Sequence, residues 1–434
     1  MTLRSLAFAL ALGSSDEPAR ALAEGRFTDA AQAIETSATQ DSEMLWTAAE
    51  IRTGLGQPEL AEADLSASER IAGQRSSADA AAAFWRRRAL LWTWEQRLEH
   101  MRTYLRRHAR HGGLARRIVA EATIAQFLWL LSCKGSVSHG VCAEFDVQVR
   151  RRARDTGWPR RPWADKSKKA VPAKLGPIFV HCDITFGRVQ GSEREPRGSA
   201  AARAQLRRVV TLARKADSAV LSEPEVAAAV LAAELSLLDT SLEAYLMKHV
   251  GEPRLYPDRW LANSQAPADI RELGRQRREV ARAERELADT NRALATEGAA
   301  LRKRYEEFAL RAGSGRIARD AWFRVALVSQ HHAAELGGAR PRGGFPSGEE
   351  ALRWCDESSA RVAPLRQAAR EAYARCLSDA TARGEFDAGV EVCEQVLVEY
   401  WPKDYPAPAE LVGRPGLLAS APQSIGFILE PPLE

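Results

Sequence analysis

The chain has 434 residues, 45% of them hydrophobic and 27% charged, with a formal net charge of +5. That balance excludes a disordered chain, and no apolar run approaches the ~20 residues that cross a bilayer as a helix. Aromatics are 7% and Ala, Arg, Leu and Glu dominate, so the chain reads as mainly α.

Arg4 precedes an apolar run from Ser5 to Leu12, and Ala11-Leu12-Gly13 or Ala19-Arg20-Ala21 offers a small-residue cleavage site. Residues 1–21 therefore read as a secretory signal or as the first helix of the fold. From residue 22 to 140 the pattern is of helical hairpins. Gly25-Arg26-Phe27-Thr28-Asp29-Ala30 joins two helices, Gly56-Gln57-Pro58-Glu59-Leu60-Ala61 repeats the turn, and Gly384-Glu385-Phe386-Asp387-Ala388 repeats it again. A glycine turn between helices at a period near ~34 residues is the signature of tetratricopeptide-type hairpins, which stack because none buries its apolar face alone. The match is degenerate: Gly389 stands where alanine is expected and Cys393 where an aromatic is expected. Ser77 to His111 forms a further pair and Leu114 to Cys133 the next helix, with the tryptophans read as core.

The period then changes from helical to two. Val141 to Val149 and Ile178 to Phe186 alternate apolar and polar residues, predicting two antiparallel strands in a small β insertion over 141–187. Between them lie Arg150, Arg151, Arg152, Arg154, Arg160, Arg161, Lys166, Lys168 and Lys169, opposed only by Asp155 and Asp165, with Trp158 and Trp163 among them. This loop is the candidate contact for an anionic partner. Nucleic acid is the less favoured anion, since two tryptophans are a thin stacking platform.

Gly187 to Gly198 reads as a charged linker, and helices resume over 199–401. Ser199 to Ala219 is one, and Ser222 to His249 the next, with Ser222 and Glu225 spaced as a capping box. A long helix from Ile270 to Leu310 follows, carrying Leu273, Val280, Leu287, Leu294, Leu301 and Phe308 at heptad spacing. A coiled-coil seam needs a second apolar line. The positions four residues on are Arg277, Glu284, Asn291, Gly298 and Tyr305, so the stripe reads as packing on neighbours in the same chain, with an oligomer seam as the alternative. Ile317 to Leu336 is the neighbouring helix. Glu349 to Ala382 is expected to kink or break at Pro364, and Asp387 to Tyr400 closes the array. The proline-rich tail 402–434 reads as extended.

Six cysteines fit an oxidising compartment. Cys376 and Cys393 lie symmetrically about the Gly384-Glu385 turn, and Cys133 and Cys142 flank a short Gly/Ser/His turn, so both pairs are disulfide candidates. Cys182 and Cys355 remain, with nothing local to pair them; buried free thiols are the alternative reading for all six.

Together, Tyr104-Leu-Arg-Arg-His, Leu130-Leu-Ser-Cys133 with Gly140-Val-Cys142, and Leu242-Glu-Ala-Tyr-Leu-Met-Lys resemble long tetratricopeptide-type proteins of myxobacteria and relatives. Ala321-Trp-Phe-Arg-Val-Ala-Leu-Val-Ser-Gln and Ala372-Tyr-Ala-Arg-Cys376 with Val392-Cys393-Glu extend the resemblance to roughly 82–408. It implies a helical scaffold in the cell envelope, some members of the group being associated with gliding motility.

Signatures of chemistry are missing from this order of motifs. Gly313-Ser-Gly315 lacks the strand and glycine spacing of a nucleotide loop. His181, Cys182 and Asp183 alternate across a predicted strand, so imidazole and thiol point apart. His331-His332 reads as incidental. We expect no catalytic residue, cofactor or metal, and a non-enzymatic scaffold that binds other proteins in the periplasm or envelope. The alternative is a polyanion-binding protein acting through 150–169.

Overall fold

The computed structural model describes residues 17–38, 41–91, 93–146, 186–250, 270–339, 348–385 and 388–406. The described residues are about 80% helical, with a small three-stranded antiparallel sheet. The chain divides into two compact units. The described residues of the first fall within 1–129 and 200–234, and those of the second within 130–199 and 235–410.

The first unit opens with α1 (Glu17–Ala23), α2 (Phe27–Ser37), α3 (Ser42–Gly54) and α4 (Pro58–Arg75), each packed on the next. The α1–α2 and α3–α4 turns are the same object. Gly25 (φ 76°) and Gly56 (φ 70°) each donate to the carbonyl three residues back at 3.1 Å. The following amides, Arg26 and Gln57, donate to the carbonyl five back, at 2.8 and 2.9 Å. This is the Schellman closure, in which the left-handed residue satisfies the carbonyls a helix end leaves open. Ala21, Ala30, Ala31, Ile34, Leu45, Ala48 and Ile71 form the core beneath these turns, and the alanines let the helices approach closely. Asp41 caps α3 by accepting from Glu43 and Met44, and Pro58 stands at the first turn of α4, where its missing N–H costs no bond.

Then come α5 (Ser77–Arg87), capped by Ser76, and α6 (Trp94–Arg107), closed by a reciprocal Thr93–Gln96 box. α7 (Gly113–Leu131) follows. Beyond the sheet, α8 (Pro196–Ala213), α9 (Ser218–Ser222) and α10 (Pro224–Leu246) correct the expected boundaries. The 199–219 helix stops at Ala213. Ser222 does not cap α10, because its hydroxyl donates back to the Ala219 carbonyl; Asp217 caps α9 instead. Pro224 then begins α10 in the position that tolerates proline.

In the second unit, β1 (Val137–Ser138) and β2 (Val141–Asp146) form a hairpin, and β3 (Arg188–Gly191) pairs with the other edge of β2. The hairpin turn is His139-Gly140 with φ of 49° and 82°, the two positive values that match strand twist. The insertion was expected to have two strands; among the described residues it has three. β2 lies within the predicted first strand and pairs antiparallel. Its partner is the stretch read as a charged linker, with Ala143 opposite Gly191 and Asp146 opposite Arg188. Residues 178–185 of the predicted second strand lie outside the described residues. The linker was misread because a four-residue strand flanked by charge carries too little alternation to register.

α11 (Ile270–Ala312) is a single helix, ~65 Å long at ~1.5 Å per residue. Its stripe is half-buried at Leu287 and buried at Leu294, Leu301 and Phe308, where it packs on α12 (Arg316–Gly338). The line four residues on, which looked too polar for a seam, is a seam of another kind. Tyr305 and Gly298 are buried and Asn291 half-buried, each against a polar or aromatic neighbour described below. α12 is buried continuously from Ala321 to Ala333, as a helix covered on every side along that stretch must be. α13 (Gly348–Thr381) packs along it and passes through Pro364 as one helix, so of the expected kink or break the break does not occur. α14 (Ala388–Tyr400) folds back after Gly384, whose φ of 64° and amide bonds to Thr381 and, through Glu385, Ala380 repeat the Gly25 and Gly56 closure.

Candidate functional site

The basic residues singled out from sequence, Arg150, Arg151, Arg152, Arg154, Arg160, Arg161, Lys166, Lys168 and Lys169, lie outside the described residues, as do His181, Cys182 and Asp183. What the fold does fix is where the segment 147–187 leaves and re-enters it. β2 and β3 are adjacent antiparallel strands with Asp146 opposite Arg188, so both ends of the basic segment sit side by side at one end of the sheet.

Both predicted cysteine pairs are bonded. Cys133–Cys142, with Cα atoms 5.6 Å apart, ties the end of α7 to β2; Cys376–Cys393, at 6.4 Å, staples α13 to α14. Cys355 is disulfide-bonded too. These bonds fit an exported protein.

The sheet is held by buried polar groups along α12 and α10. Arg324 of α12 makes a two-pronged pair with Asp239 of α10, Nε to Oδ1 at 2.6 Å and Nη2 to Oδ2 at 2.8 Å. Its Nη2 also donates to the His139 carbonyl in the β1–β2 turn at 2.8 Å, and Tyr305 of α11 donates to Asp239 Oδ1 at 2.9 Å. Burial opposes the Arg324 charge, but Asp239 more than restores it and holds the guanidinium firmly protonated. Burial, with Asp239 beside it, pushes the Tyr305 phenol well up, so it remains a donor. One turn further along α10, Glu243 accepts from Arg194 at 2.5 and 2.6 Å and from the Cys142 amide at 2.9 Å. Burial raises the Glu243 carboxyl, against the pull of Arg194.

Farther along α12, Gln330 donates to the Gly187 carbonyl at 2.7 Å and receives the Tyr373 hydroxyl of α13. His331 lies between the Val189 and Lys248 carbonyls at 2.9 and 3.0 Å. His332 meets Asn291 of α11 at 3.0 Å, and burial lowers its imidazole to about 4. Glu335 accepts from the Val250 amide at 2.8 Å, with His249 at 3.2 Å. The adjacent histidines, read from sequence as incidental, are thus both engaged across elements. The signal available was spacing: Asp239 and Glu243 stand four apart in an apolar helix, as do His331 and Glu335. Four-residue spacing puts each pair on one helix face.

A smaller polar cluster lies in the first unit. Arg52 of α3 donates to Glu35 at 2.7 Å and to Gln57 at 2.8 Å. Asp64 of α4 is buried beside them, and burial, then Glu35, against Arg52, raises its carboxyl to about 6.

These arrangements hold elements in register. Among the described residues no group of three or more His, Cys, Asp or Glu is placed to hold a metal ion, and no helix is long and apolar enough to cross a membrane. Comparison with family models, curated proteins and solved structures finds no match for the chain.

Proposed function

We propose that the protein is a non-enzymatic helical-repeat scaffold that holds other proteins in the bacterial periplasm or envelope, like the tetratricopeptide-type proteins it resembles. One observation carries this reading. The same glycine closure, with the same two amide bonds, recurs at Gly25, Gly56 and Gly384, each joining consecutive helices that pack together or are bonded by a disulfide. Repetition of one supersecondary unit is how a solenoid generates an extended binding surface. The disulfides support residence in an oxidising compartment.

The test is site-specific photocrosslinking in the host at exposed positions of the hairpins, Gln32, Ala63 and Arg70, against exposed control positions on α11, Arg285 and Arg292. One partner captured from the hairpins alone, and retained in high salt, supports the scaffold. The second reading, a polyanion-binding protein, rests on the paired strands that bring both ends of the basic segment 147–187 together. It takes over if the hairpins capture nothing and the chain binds heparin with an affinity that falls steeply with salt.

A further inference from the structure

In the first unit, α7 begins against its own electrostatics. Its first turn, from Gly113, holds no acidic residue, and Arg116 and Arg117 follow at once. The amides of Gly113, Leu114 and Ala115 have no carbonyl of their own helix to reach, so the positive end of the helix dipole meets two guanidinium groups. Neither arginine forms an ion pair among the described residues, and the exposed Arg110 in the turn before them forms none either.

Further cations come from the end of α8. Glu195, just before α8, donates its amide to the Ser132 carbonyl just after α7 at 2.6 Å, while Glu121 of α7 takes Gln205 and, at 3.1 Å, Arg208. The two helices therefore run antiparallel. At ~1.5 Å per residue on each, Gly113 to Arg117 lie level with Arg214 and Lys215. Both of these are exposed and without an ion pair among the described residues. The neighbouring carboxylates are engaged elsewhere: Glu121 by Gln205 and Arg208, Glu99 by Arg106, and Asp217 as the cap of α9.

The second observation is Tyr104 of α6. It is fully buried, and its hydroxyl has no hydrogen-bond partner among the described residues. That hydroxyl stands against Gly112, the residue before α7, where an added Cβ would collide with it. Burial pushes the phenol up, and Arg116 is the strongest group acting against this. A guanidinium only donates, so the phenolic proton still lacks an acceptor. Amides, guanidinium groups, an ammonium and a phenol thus converge on one corner that supplies donors and no acceptor.

We infer that this corner, where α6 turns into α7 beside the end of α8, binds a chain of phosphate groups. One phosphate takes the α7 amides and the Tyr104 hydroxyl, and the next ones take Arg110, Arg116, Arg117, Arg214 and Lys215. A helix start is a ready-made phosphate site, and four arginines to one lysine favour a planar, two-pronged oxyanion contact. Five unpaired cations exceed what a single phosphate neutralises. A lipid surface fits less well, because no large apolar side chain is exposed at 104–117 or 206–216 to enter it. The site is independent of the hairpin surface and of the basic segment 147–187.

Calorimetric titration of the full, oxidised chain with sodium tripolyphosphate, in magnesium-free buffer at fixed ionic strength, tests this. We expect saturable one-to-one binding, weakened about tenfold or more in Arg116→Gln/Arg117→Gln/Arg214→Gln and about threefold or more in Tyr104→Phe. Both variants should keep the wild-type Tm, since exposed unpaired arginines and an unbonded hydroxyl contribute little to it. Changing the arginines of 150–169 to glutamine should leave the affinity unaltered. Adenosine triphosphate separates the two sources of a phosphate chain: comparable affinity means that a nucleotide can present it, and much weaker affinity assigns the free polyphosphate. No binding of tripolyphosphate, binding lost with the 150–169 arginines instead of the triple variant, or binding to phosphatidylglycerol vesicles alone would overturn the proposal.

Discussion

Asp64 offers a quantitative test of how the helices of the first unit meet. Its carboxyl is raised to about 6 from an ordinary 3.8, by burial first and by Glu35 second, with Arg52 pulling the other way. The folded state therefore binds the Asp64 proton more tightly than the unfolded chain does. Stability is greatest when the group is protonated in both states, falls as pH climbs between 3.8 and about 6, and is flat above that. Two pH units correspond to about 3 kcal/mol, an upper bound for the cost at neutral pH. Asp64→Asn keeps the shape and removes the ionisation. The variant should gain on the wild type by between about 1 and 3 kcal/mol as pH goes from ~4 to ~7.5. Amide hydrogen exchange in α4 reads the local opening free energy at each pH. A gap between the two proteins that does not change with pH, or a variant that is less stable at pH ~7.5, refutes the reasoning.

Other substitutions probe the second unit. Arg324→Met leaves Asp239, among the described residues, with Tyr305 as its one remaining side-chain donor and should cost about 3–5 kcal/mol in urea unfolding, whereas Arg324→Met with Asp239→Leu should recover much of that loss. Gly298→Ala would gain ~1 kcal/mol in an exposed helix. Here a Cβ would stand 2.8 Å from the Tyr245 hydroxyl and 3.4 Å from Val328 Cγ1, so the change should destabilise by about 1–3 kcal/mol, measured as a drop in Tm. Cys376→Ser opens a loop of sequence separation 17 and should cost about 3 kcal/mol, read by denaturant titration beside the oxidised parent.

Helix identity, the hairpin turns and the two cysteine pairs were legible because each is a local property. A glycine between two helical patterns fixes a left-handed turn at Gly25, Gly56 and Gly384 whatever surrounds it, and Cys376 and Cys393 are equidistant from theirs. The heptad of α11 showed one face, and Leu294, Leu301 and Phe308 are buried on it. What tertiary structure alone decided is where polar groups go. Asn291, Gly298 and Tyr305 looked like a failed seam because their partners, His332, Tyr245 and Asp239, come from helices as much as 66 residues away. Arg188 to Gly191 became a strand because β2 had an open edge beside it, and α13 ran through Pro364 because packing on α12 outweighed one lost hydrogen bond. Local pattern depends on residues three or four apart and survives in the sequence. The pairing of buried charges and sheet edges depends on which distant segments meet, and that is set only when the chain has folded.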